Sequence, residues 1–183
     1  MNVEKIVKYS IGGVIFMIKK TKYIILNRHN VSFKYISLFS AKSSIRVARG
    51  GYLSFGKLCT MESGSYIGVR KGGHINLGDG VYINRNTIIV SHDNISIGNG
   101  VTIGPGCYIY DHDHAPETKS GFKTATIKIG KNVWIGANVV LLKGITVGDN
   151  STIGAGSVVV KNVPENAIVV GNPAKVIKYK SNV

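Results

Sequence analysis

The sequence has few cysteines, and their scarcity excludes a disulfide-stabilised scaffold. Among 183 residues only Cys59 and Cys107 are present, and they do not form a CxxC motif. Neither a disulfide framework nor a zinc site with cysteine ligands is indicated. Such a cysteine content is typical of a protein that stays in a reducing cytoplasm.

Long apolar runs are also lacking. The longest early run, residues 11–18, ends at Lys19 and is far shorter than the roughly 20 residues that a membrane-spanning helix needs. No small-residue cleavage site follows it, so the run does not resemble a secretory signal. With only four prolines but 23 glycines, the composition predicts an ordered, turn-rich chain, and its length suits one domain.

Acidic residues are scarce relative to basic ones. Nine Asp and Glu residues stand against 23 Lys and Arg, which gives a net charge of +14. An excess of this size favours polyanionic partners such as the phosphates of coenzyme A, nucleotide sugars, anionic lipids or nucleic acid. We do not expect nucleic acid, because the chain has neither a recognisable reading helix nor a row of basic and aromatic residues.

The basic excess is concentrated in residues 1–50, where Glu4 is the one acidic residue. This segment lacks the repeat described below, and its apolar patches between basic residues fit either a helix or a strand. We predict a basic N-terminal cap with a helix as the favoured structure. A basic segment of this kind also predicts an association with the inner face of a membrane.

The strongest feature of the sequence is a repeat of six residues. From Phe55 onward, an aliphatic residue followed by a small or polar one recurs at six-residue steps. The clearest series is Ile129-Gly130, Ile135-Gly136, Leu141-Leu142, Val147-Gly148, Ile153-Gly154 and Val159-Val160. This period fits a triangular prism in which each side is a short parallel strand and each corner a turn. We therefore predict an all-β prism over residues 51–171 and a short tail over residues 172–183.

The repeat has three irregularities. It slips by two residues between Ile67 and Ile75 and again between Ile89 and Ile97, which we interpret as longer corners. A larger interruption covers residues 115–127, whose proline, glycine and two lysines are typical of a loop that projects from the prism. A loop beside a regular scaffold is a frequent place for function.

Three stretches of the chain resemble a known superfamily. They are residues 129–137 (IGKNVWIGA), 153–159 (IGAGSVV) and 169–177 (VVGNPAKVI). Through them, residues 53–177 resemble the hexapeptide-repeat acyltransferases, in the group of the maltose, galactoside and streptogramin acetyltransferases and the O-acetyltransferases of bacterial surface polysaccharides. The resemblance implies a left-handed parallel β-helix, a homotrimer with active sites between neighbouring prisms, and acetyl-coenzyme A (acetyl-CoA) as the acyl donor.

The resemblance also implies a catalytic histidine. Residues 109–114 read Ile-Tyr-Asp-His-Asp-His, and the family's histidine position selects His114 over His112. A sugar hydroxyl attacks a thioester poorly until its proton is removed, and imidazole, with a pKa of roughly 6.5, suits that task. We expect His114 to accept the proton while the hydroxyl attacks the acetyl carbonyl directly. Asp111 or Asp113 is a candidate to orient the ring.

Other site residues follow from the same resemblance. Asn86 aligns with an asparagine that helps to position the acceptor. Residues implied to contact coenzyme A are Trp134, Ala137 and Ala155 at the pantetheine arm, and Lys161 and Lys175 at the adenosine phosphates. The family often has threonine before the first lysine and arginine at the second, whereas this chain has Val160 and Lys175. Contacts that need the hydroxyl or the guanidinium are therefore not carried over.

Three alternatives to sugar O-acetylation remain. One is an N-acetyltransferase that acts on an amino sugar, and another is a scaffold without catalysis. A third is a protein similar to the gamma-type zinc carbonic anhydrases, because His92 and His112 occupy matching positions on adjacent coils and His74 lies 18 residues before His92. We expect no metal, because the family's histidine spacing is not reproduced. The best-supported acceptor is a hydroxyl of a sugar, a polysaccharide or a lipid-linked oligosaccharide.

Overall fold

The computed structural model describes residues 30–117, 119 and 121–181. All regular secondary structure in these ranges is β-strand, arranged as three large sheets and one two-stranded hairpin. Successive strands belong to the three sheets in turn, so each sheet is one face of a prism; we name the faces A, B and C. The part of the predicted cap in residues 1–29 lies outside the described residues.

Each face is built from short strands of two to six residues. Face A contains β1 (Val31–Phe33), β4 (Tyr52–Phe55), β7 (His74–Leu77), β10 (Asn94–Ile97), β15 (Ile127–Ile129) and β18 (Thr146–Val147). Face B contains β2 (Leu38–Phe39), β5 (Thr60–Met61), β8 (Tyr82–Ile83), β11 (Thr102–Ile103), β16 (Trp134–Ile135), β19 (Thr152–Ile153), β21 (Ala167–Gly171) and β22 (Ala174–Tyr179). Face C contains β3 (Ser44–Val47), β6 (Tyr66–Val69), β9 (Ile88–Ser91), β12 (Tyr108–Tyr110), β17 (Val140–Leu141) and β20 (Val158–Val159). The hairpin consists of β13 (His112–His114) and β14 (Phe122–Thr124).

Six strands on each of faces A and C give six coils, each of which runs from A through B to C. Strands of one face pair in parallel from coil to coil. Their register partners are 22 residues apart in the first coils, as for Val31 and Leu53, and 18 apart in the last, as for Trp134 and Thr152. The six-residue repeat therefore forms the left-handed parallel β-helix that the resemblance predicts.

The core is a stack of aliphatic side chains that point into the prism. On face A, Leu53, Ile75 and Ile95 are register partners in consecutive coils, and all three are fully buried. At the corner after β10, a Cβ on Gly98 would come within 2.6 Å of the Gly130 carbonyl oxygen. Glycine is required there because the coils approach too closely for a side chain. Stability thus comes from stacking one coil on the next.

The extra residues of the longer coils all lie at one edge, between faces C and A, which we call the C–A corner. The slip between Ile67 and Ile75 is the turn 70–73, and the slip between Ile89 and Ile97 is the shorter turn 92–93. Both irregularities are longer corners, as predicted. The largest insertion also leaves at this corner and forms the hairpin β13–β14, which begins at His112 rather than at residue 115.

The prism begins earlier than the sequence indicated. Residues 31–47 form β1 to β3, which pair in parallel with β4 to β6, so the described part of residues 1–50 is the first coil and not a helix. The repeat was hidden because the rings of Phe33, Phe39 and Phe55 pack together, with centroids 5.0–6.1 Å apart, where later coils have aliphatic residues. At the other end, the predicted tail forms β22, which pairs antiparallel with β21.

Candidate active site

The hairpin β13–β14 carries His114 at the end of its first strand. His114 is the Cα partner of Phe122 across the hairpin, and their ring centroids are 5.0 Å apart. Two backbone hydrogen bonds brace the hairpin: Ala115 N–H donates to Gly121 at 2.9 Å, and Ala125 N–H donates to Asp111 at 2.9 Å. His114 itself is exposed. The imidazole is therefore held by a short braced strand and is accessible to a substrate.

A cluster of rings supports the hairpin from the preceding coil. The centroid of His92 lies 4.1 Å from that of His112 and 4.2 Å from that of Phe122. Burial lowers the pKa of His92, and the neighbouring His112 lowers it further. The predicted stacking of His92 on His112 is present. His74 does not join this stack, because its ring lies against Tyr52 on face A, with centroids 6.3 Å apart.

The carboxylate of Asp111 anchors the root of the hairpin. It is fully buried and accepts hydrogen bonds from Ser91 Oγ at 2.6 Å, His92 N–H at 2.8 Å and Asp93 N–H at 2.9 Å. Its Oδ1 also lies 3.3 Å from His112 Nδ1. Since the Asp111 carbonyl holds Ala125, this one residue joins both ends of the hairpin to the coil before it.

Neither acid proposed as the orienting partner of His114 contacts its ring. Asp111 is engaged by the groups just described, and Asp113 forms an ion pair with Lys143. Among residues 30–117, 119 and 121–181, the contact of the His114 ring is with Phe122. Phe122 was not among the predicted site residues, although it is the one aromatic residue of the loop segment 115–127. Packing against this ring, and not a carboxylate, positions His114 in the described structure.

Three of the predicted site residues lie together at another edge, the corner between faces B and C, which we call the B–C corner. Asn86 is an exposed turn residue between β8 and β9 with a φ of 56°. Ala137 and Ala155 occupy the same corner in the fifth and sixth coils, where Gly156 N–H donates to the Ala137 carbonyl at 2.8 Å. Asn86, which the resemblance implies at the acceptor, therefore lies on the same edge of the prism as Ala137 and Ala155, which it implies at the pantetheine arm.

The remaining predicted residues are divided between face B and the C–A corner. Trp134 begins β16 on face B, and its side chain is 56% exposed. Lys175 lies on β22, three strands further along the same face, and is exposed. Lys161 follows β20 and is exposed at the C–A corner, two coils beyond the hairpin. Trp134 and Lys175 therefore share a face, whereas Lys161 is on the side of His114.

Within one chain, His114 and Asn86 are not brought together. His114 lies at the C–A corner and Asn86 at the B–C corner, and face C separates the two edges. The outer surface of face C carries a register-matched row of apolar residues: Tyr66, Ile88, Tyr108, Val140 and Val158. This row was not predicted, because the six-residue repeat identifies the inward-pointing aliphatic residues and not those on the outer surface.

Within its described ranges, the structure contains no cluster of metal-ligating side chains and no helix that could cross a membrane. There, no three His, Cys, Asp or Glu side chains are arranged to hold a metal. The same residues contain no helix with the length and apolar character needed to cross a bilayer. Cys59 and Cys107 are both buried. Burial raises the pKa of the Cys59 thiol to about 11, and burial also raises the pKa of the Cys107 thiol above its ordinary value.

Comparison with known proteins agrees with the repeat and the fold. Residues 126–161 match the family described as bacterial transferase hexapeptide (six repeats). A galactoside O-acetyltransferase of Lactococcus lactis is 32% identical over 154 residues, which are 82% of this chain and 73% of the relative. The chain spans between 55% and 58% of the length of several other curated relatives that it matches.

Solved structures show the same architecture. A hexapeptide-repeat acetyltransferase of Vibrio cholerae, complexed with acetyl-CoA, has a TM-score of 0.55 and 26% identity, covering 100% of this chain and 92% of the other. A variant of AntD, an N-acyltransferase from Bacillus cereus in complex with dTDP and coenzyme A, has a TM-score of 0.74. Its identity is 21%, over 90% of this chain and 89% of the other, so this likeness shows the fold alone. From the repeat, the prism and the Lactococcus relative together, the chain belongs to the hexapeptide-repeat acetyltransferase superfamily.

Proposed function

We propose that this protein transfers the acetyl group of acetyl-CoA to a hydroxyl of a carbohydrate acceptor, with His114 as the general base. The observation that carries the proposal is the exposed imidazole on a braced hairpin at the C–A corner. Support for a sugar hydroxyl comes from the Lactococcus lactis relative, which is a galactoside O-acetyltransferase. The decisive experiment is incubation with acetyl-CoA and a panel of sugars and lipid-linked oligosaccharides, with detection of the acetylated product.

The proposed reaction is a direct transfer. An unprotonated ring nitrogen of His114 removes the proton of the acceptor hydroxyl as its oxygen bonds to the acetyl carbonyl carbon. A backbone N–H stabilises the tetrahedral oxyanion, the C–S bond breaks, and the coenzyme A thiolate leaves and takes up the proton from the imidazolium. Neither buried cysteine has a role, because a thiol with a raised pKa is a poor nucleophile at neutral pH.

We also propose that the active site forms between chains of a homotrimer. A single chain holds His114 and Asn86 at opposite edges of face C, so a shared site requires the corner of a second copy. The apolar row on the outer surface of face C suits contact with such a copy. In this arrangement Asn86 positions the acceptor, and the face-B and B–C corner residues form the groove for acetyl-CoA.

The assembly proposal predicts the effect of a charge on face C. Tyr108 is 41% exposed in the middle of the apolar row, so Tyr108→Glu would place a carboxylate in the contact between chains. We expect a trimer for the wild type and a monomer with little turnover for the variant. Light scattering coupled to size-exclusion chromatography measures this, with the exposed Asn76→Glu on face A as the matched control. A monomeric, active wild type would contradict the assembly proposal.

The proposed groove for acetyl-CoA predicts a separate kinetic effect of a substitution at Trp134. Its indole is 56% exposed on face B and supplies a large apolar surface for the pantetheine arm. With Trp134→Ala, the KM for acetyl-CoA should rise by roughly tenfold, and the KM for the acceptor should change little. Steady-state kinetics in both substrates measures the two values. The exposed Tyr179→Ala, near the end of β22, is the control, and equal effects of both variants would remove Trp134 from the site.

The nature of the accepting atom is tested with matched acceptors. Amino sugars and their parent sugars differ in one position, NH₂ against OH, and the AntD neighbour is an N-acyltransferase. We expect O-acetylated products, identified by their lability to mild base. Transfer only to the amine would replace the O-acetylation proposal by the N-acetylation alternative.

Association with the inner face of a membrane rests mainly on residues 1–29, which lie outside the described residues, and vesicle sedimentation tests it.

A further inference from the structure

Exposed basic side chains follow one another along the C–A corner before the hairpin. Arg49 lies in the turn after β3, and Arg70 and Lys71 lie in the turn after β6. Backbone hydrogen bonds stack these turns: Gly72 N–H donates to the Gly50 carbonyl at 3.1 Å, and Arg70 N–H donates to the Ser91 carbonyl at 2.9 Å. We call Arg49, Arg70 and Lys71 the basic column.

The basic column adjoins the ring cluster that supports His114. Arg70 is bonded through its backbone to Ser91, the neighbour of His92, and His92 packs against Phe122, which packs against His114. Adjacent strands are about 4.8 Å apart, so the turn of Arg70 lies about 10 Å, or two coils, from the root of the hairpin. The charge of Arg70 also contributes to the lowered pKa of His92, as does that of His114.

The side chains of the basic column have no acidic partners among the residues that the structure describes. None of the three forms an ion pair with a residue of the described ranges, whereas two lysines at or near the hairpin, Lys123 and Lys143, pair with Glu117 and Asp113. The carboxylate of Asp93, the acid in the next turn, accepts a hydrogen bond from Thr126 at 3.0 Å. The positive charge of the column is therefore available to an external anion.

The position of the basic column separates it from the implied coenzyme A phosphates. Lys161 follows the sixth coil and Lys175 lies on β22, while the column occupies the first two coils. The hairpin lies between them along the prism axis. A ligand held by the column would thus approach His114 along the prism axis from the end opposite to Lys161. That end is left for the acceptor.

We infer that the acceptor sugar carries a phosphate or diphosphate ester, and that the basic column binds this group while the sugar hydroxyl reaches His114. The inference rests on the proposed function. Arginine matches phosphate with a planar pair of N–H donors, and lysine adds a mobile charge. Nucleotide-linked and prenyl-linked sugars both supply this chemistry, and the preference for one of them depends on the group beyond the phosphates.

The test compares acceptors that differ only in the anion. Acetylation rates are measured for one sugar in four forms: free, as the 1-phosphate, as the nucleoside diphosphate sugar and as a short-chain prenyl diphosphate sugar. We expect the phosphorylated forms to have a KM at least roughly tenfold below that of the free sugar. In the double variant Arg70→Gln, Lys71→Gln, the KM of the phosphorylated forms should rise by roughly tenfold to a hundredfold, with the free sugar unaffected.

A matched variant separates local binding from net charge. Lys57→Gln combined with Lys131→Gln removes two exposed charges at the corner between faces A and B, so it should leave all four KM values unchanged. Equal rates for free and phosphorylated sugars, or equal effects of the two double variants, overturn the inference without affecting His114. Calorimetric binding of the 1-phosphate provides a readout independent of turnover: binding that is unchanged by Arg70→Gln, Lys71→Gln also overturns it.

Discussion

Replacement of His114 by alanine should lower turnover by roughly two to four orders of magnitude, the usual contribution of a general base. The imidazole is exposed and makes its ring contact with Phe122, so its loss removes little packing. We therefore expect KM for acetyl-CoA and the free energy of unfolding to stay near their wild-type values. The measurement is steady-state turnover with acetyl-CoA and the best acceptor of the panel.

A control on the same hairpin shows whether the effect belongs to the imidazole. Lys123 is exposed on β14 and pairs with Glu117, so Lys123→Ala disturbs the hairpin surface without touching a ring. It should retain most of the turnover, because an exposed ion pair contributes little to stability. If His114→Ala and Lys123→Ala had similar activities, His114 would not be the base.

The second large effect is expected at Asp111. In Asp111→Ala, the N–H groups of His92 and Asp93 lose their acceptor, whereas Ser91 Oγ–H keeps the His74 carbonyl, 3.0 Å away. Each buried donor left without a partner costs about 1–3 kcal/mol, so two such donors should lower the free energy of unfolding by about 2–6 kcal/mol. Urea unfolding measures the loss. Hydrogen exchange of residues 112–125 should also become faster, since the hairpin loses its anchor.

Asp113 provides the matched control for Asp111. It is two residues away on the same hairpin, but it is half exposed and its partner is a surface lysine, Lys143. Asp113→Ala should therefore change the free energy of unfolding by less than about 1 kcal/mol. Asp111→Asn, which keeps the shape but replaces one oxygen by NH₂, should fall between the two alanine variants. Equal stability of Asp111→Ala and Asp113→Ala would contradict the anchoring role.

The fold was predictable from the sequence wherever the inward residues are aliphatic. Ile129, Ile135 and Leu141 lie six residues apart and lead directly to three faces and a corner after each strand. The first coil was not predicted, because Phe33 and Phe39 replace the aliphatic residues and because the coil is four residues longer than the last coils. The local pattern does not reveal that aromatic rings fill the same interior, since that depends on packing between coils.

The candidate site was predictable only in part. His114 followed from the resemblance and lies on an exposed hairpin, and Ala137 and Ala155 share a corner as their equivalent places in the repeat indicate. The partner of the His114 ring was not predictable, because Phe122 reaches it through an antiparallel hairpin that interrupts the repeat. The separation of Asn86 from His114 by face C also required the structure, since it depends on which corner each turn occupies.

The basic column was also not predictable from the sequence alone. Arg49 and Lys71 are 22 residues apart in the sequence, and their closeness depends on a coil length that the repeat of 18 does not give. Composition reported the excess charge, but only the stacking of the corners shows that part of it faces the approach to the hairpin. Three of the residues behind the net charge of +14, Arg49, Arg70 and Lys71, therefore lie together at the C–A corner.

The pH dependence of kcat/KM for the acceptor tests the role of His114 most directly. On the acid side, the wild-type value should fall as the pH decreases, because a protonated general base can no longer accept the hydroxyl proton. The residual activity of His114→Gln should lack this acid limb. An acid limb at the same pH in His114→Gln would show that another group is the base and would contradict the account.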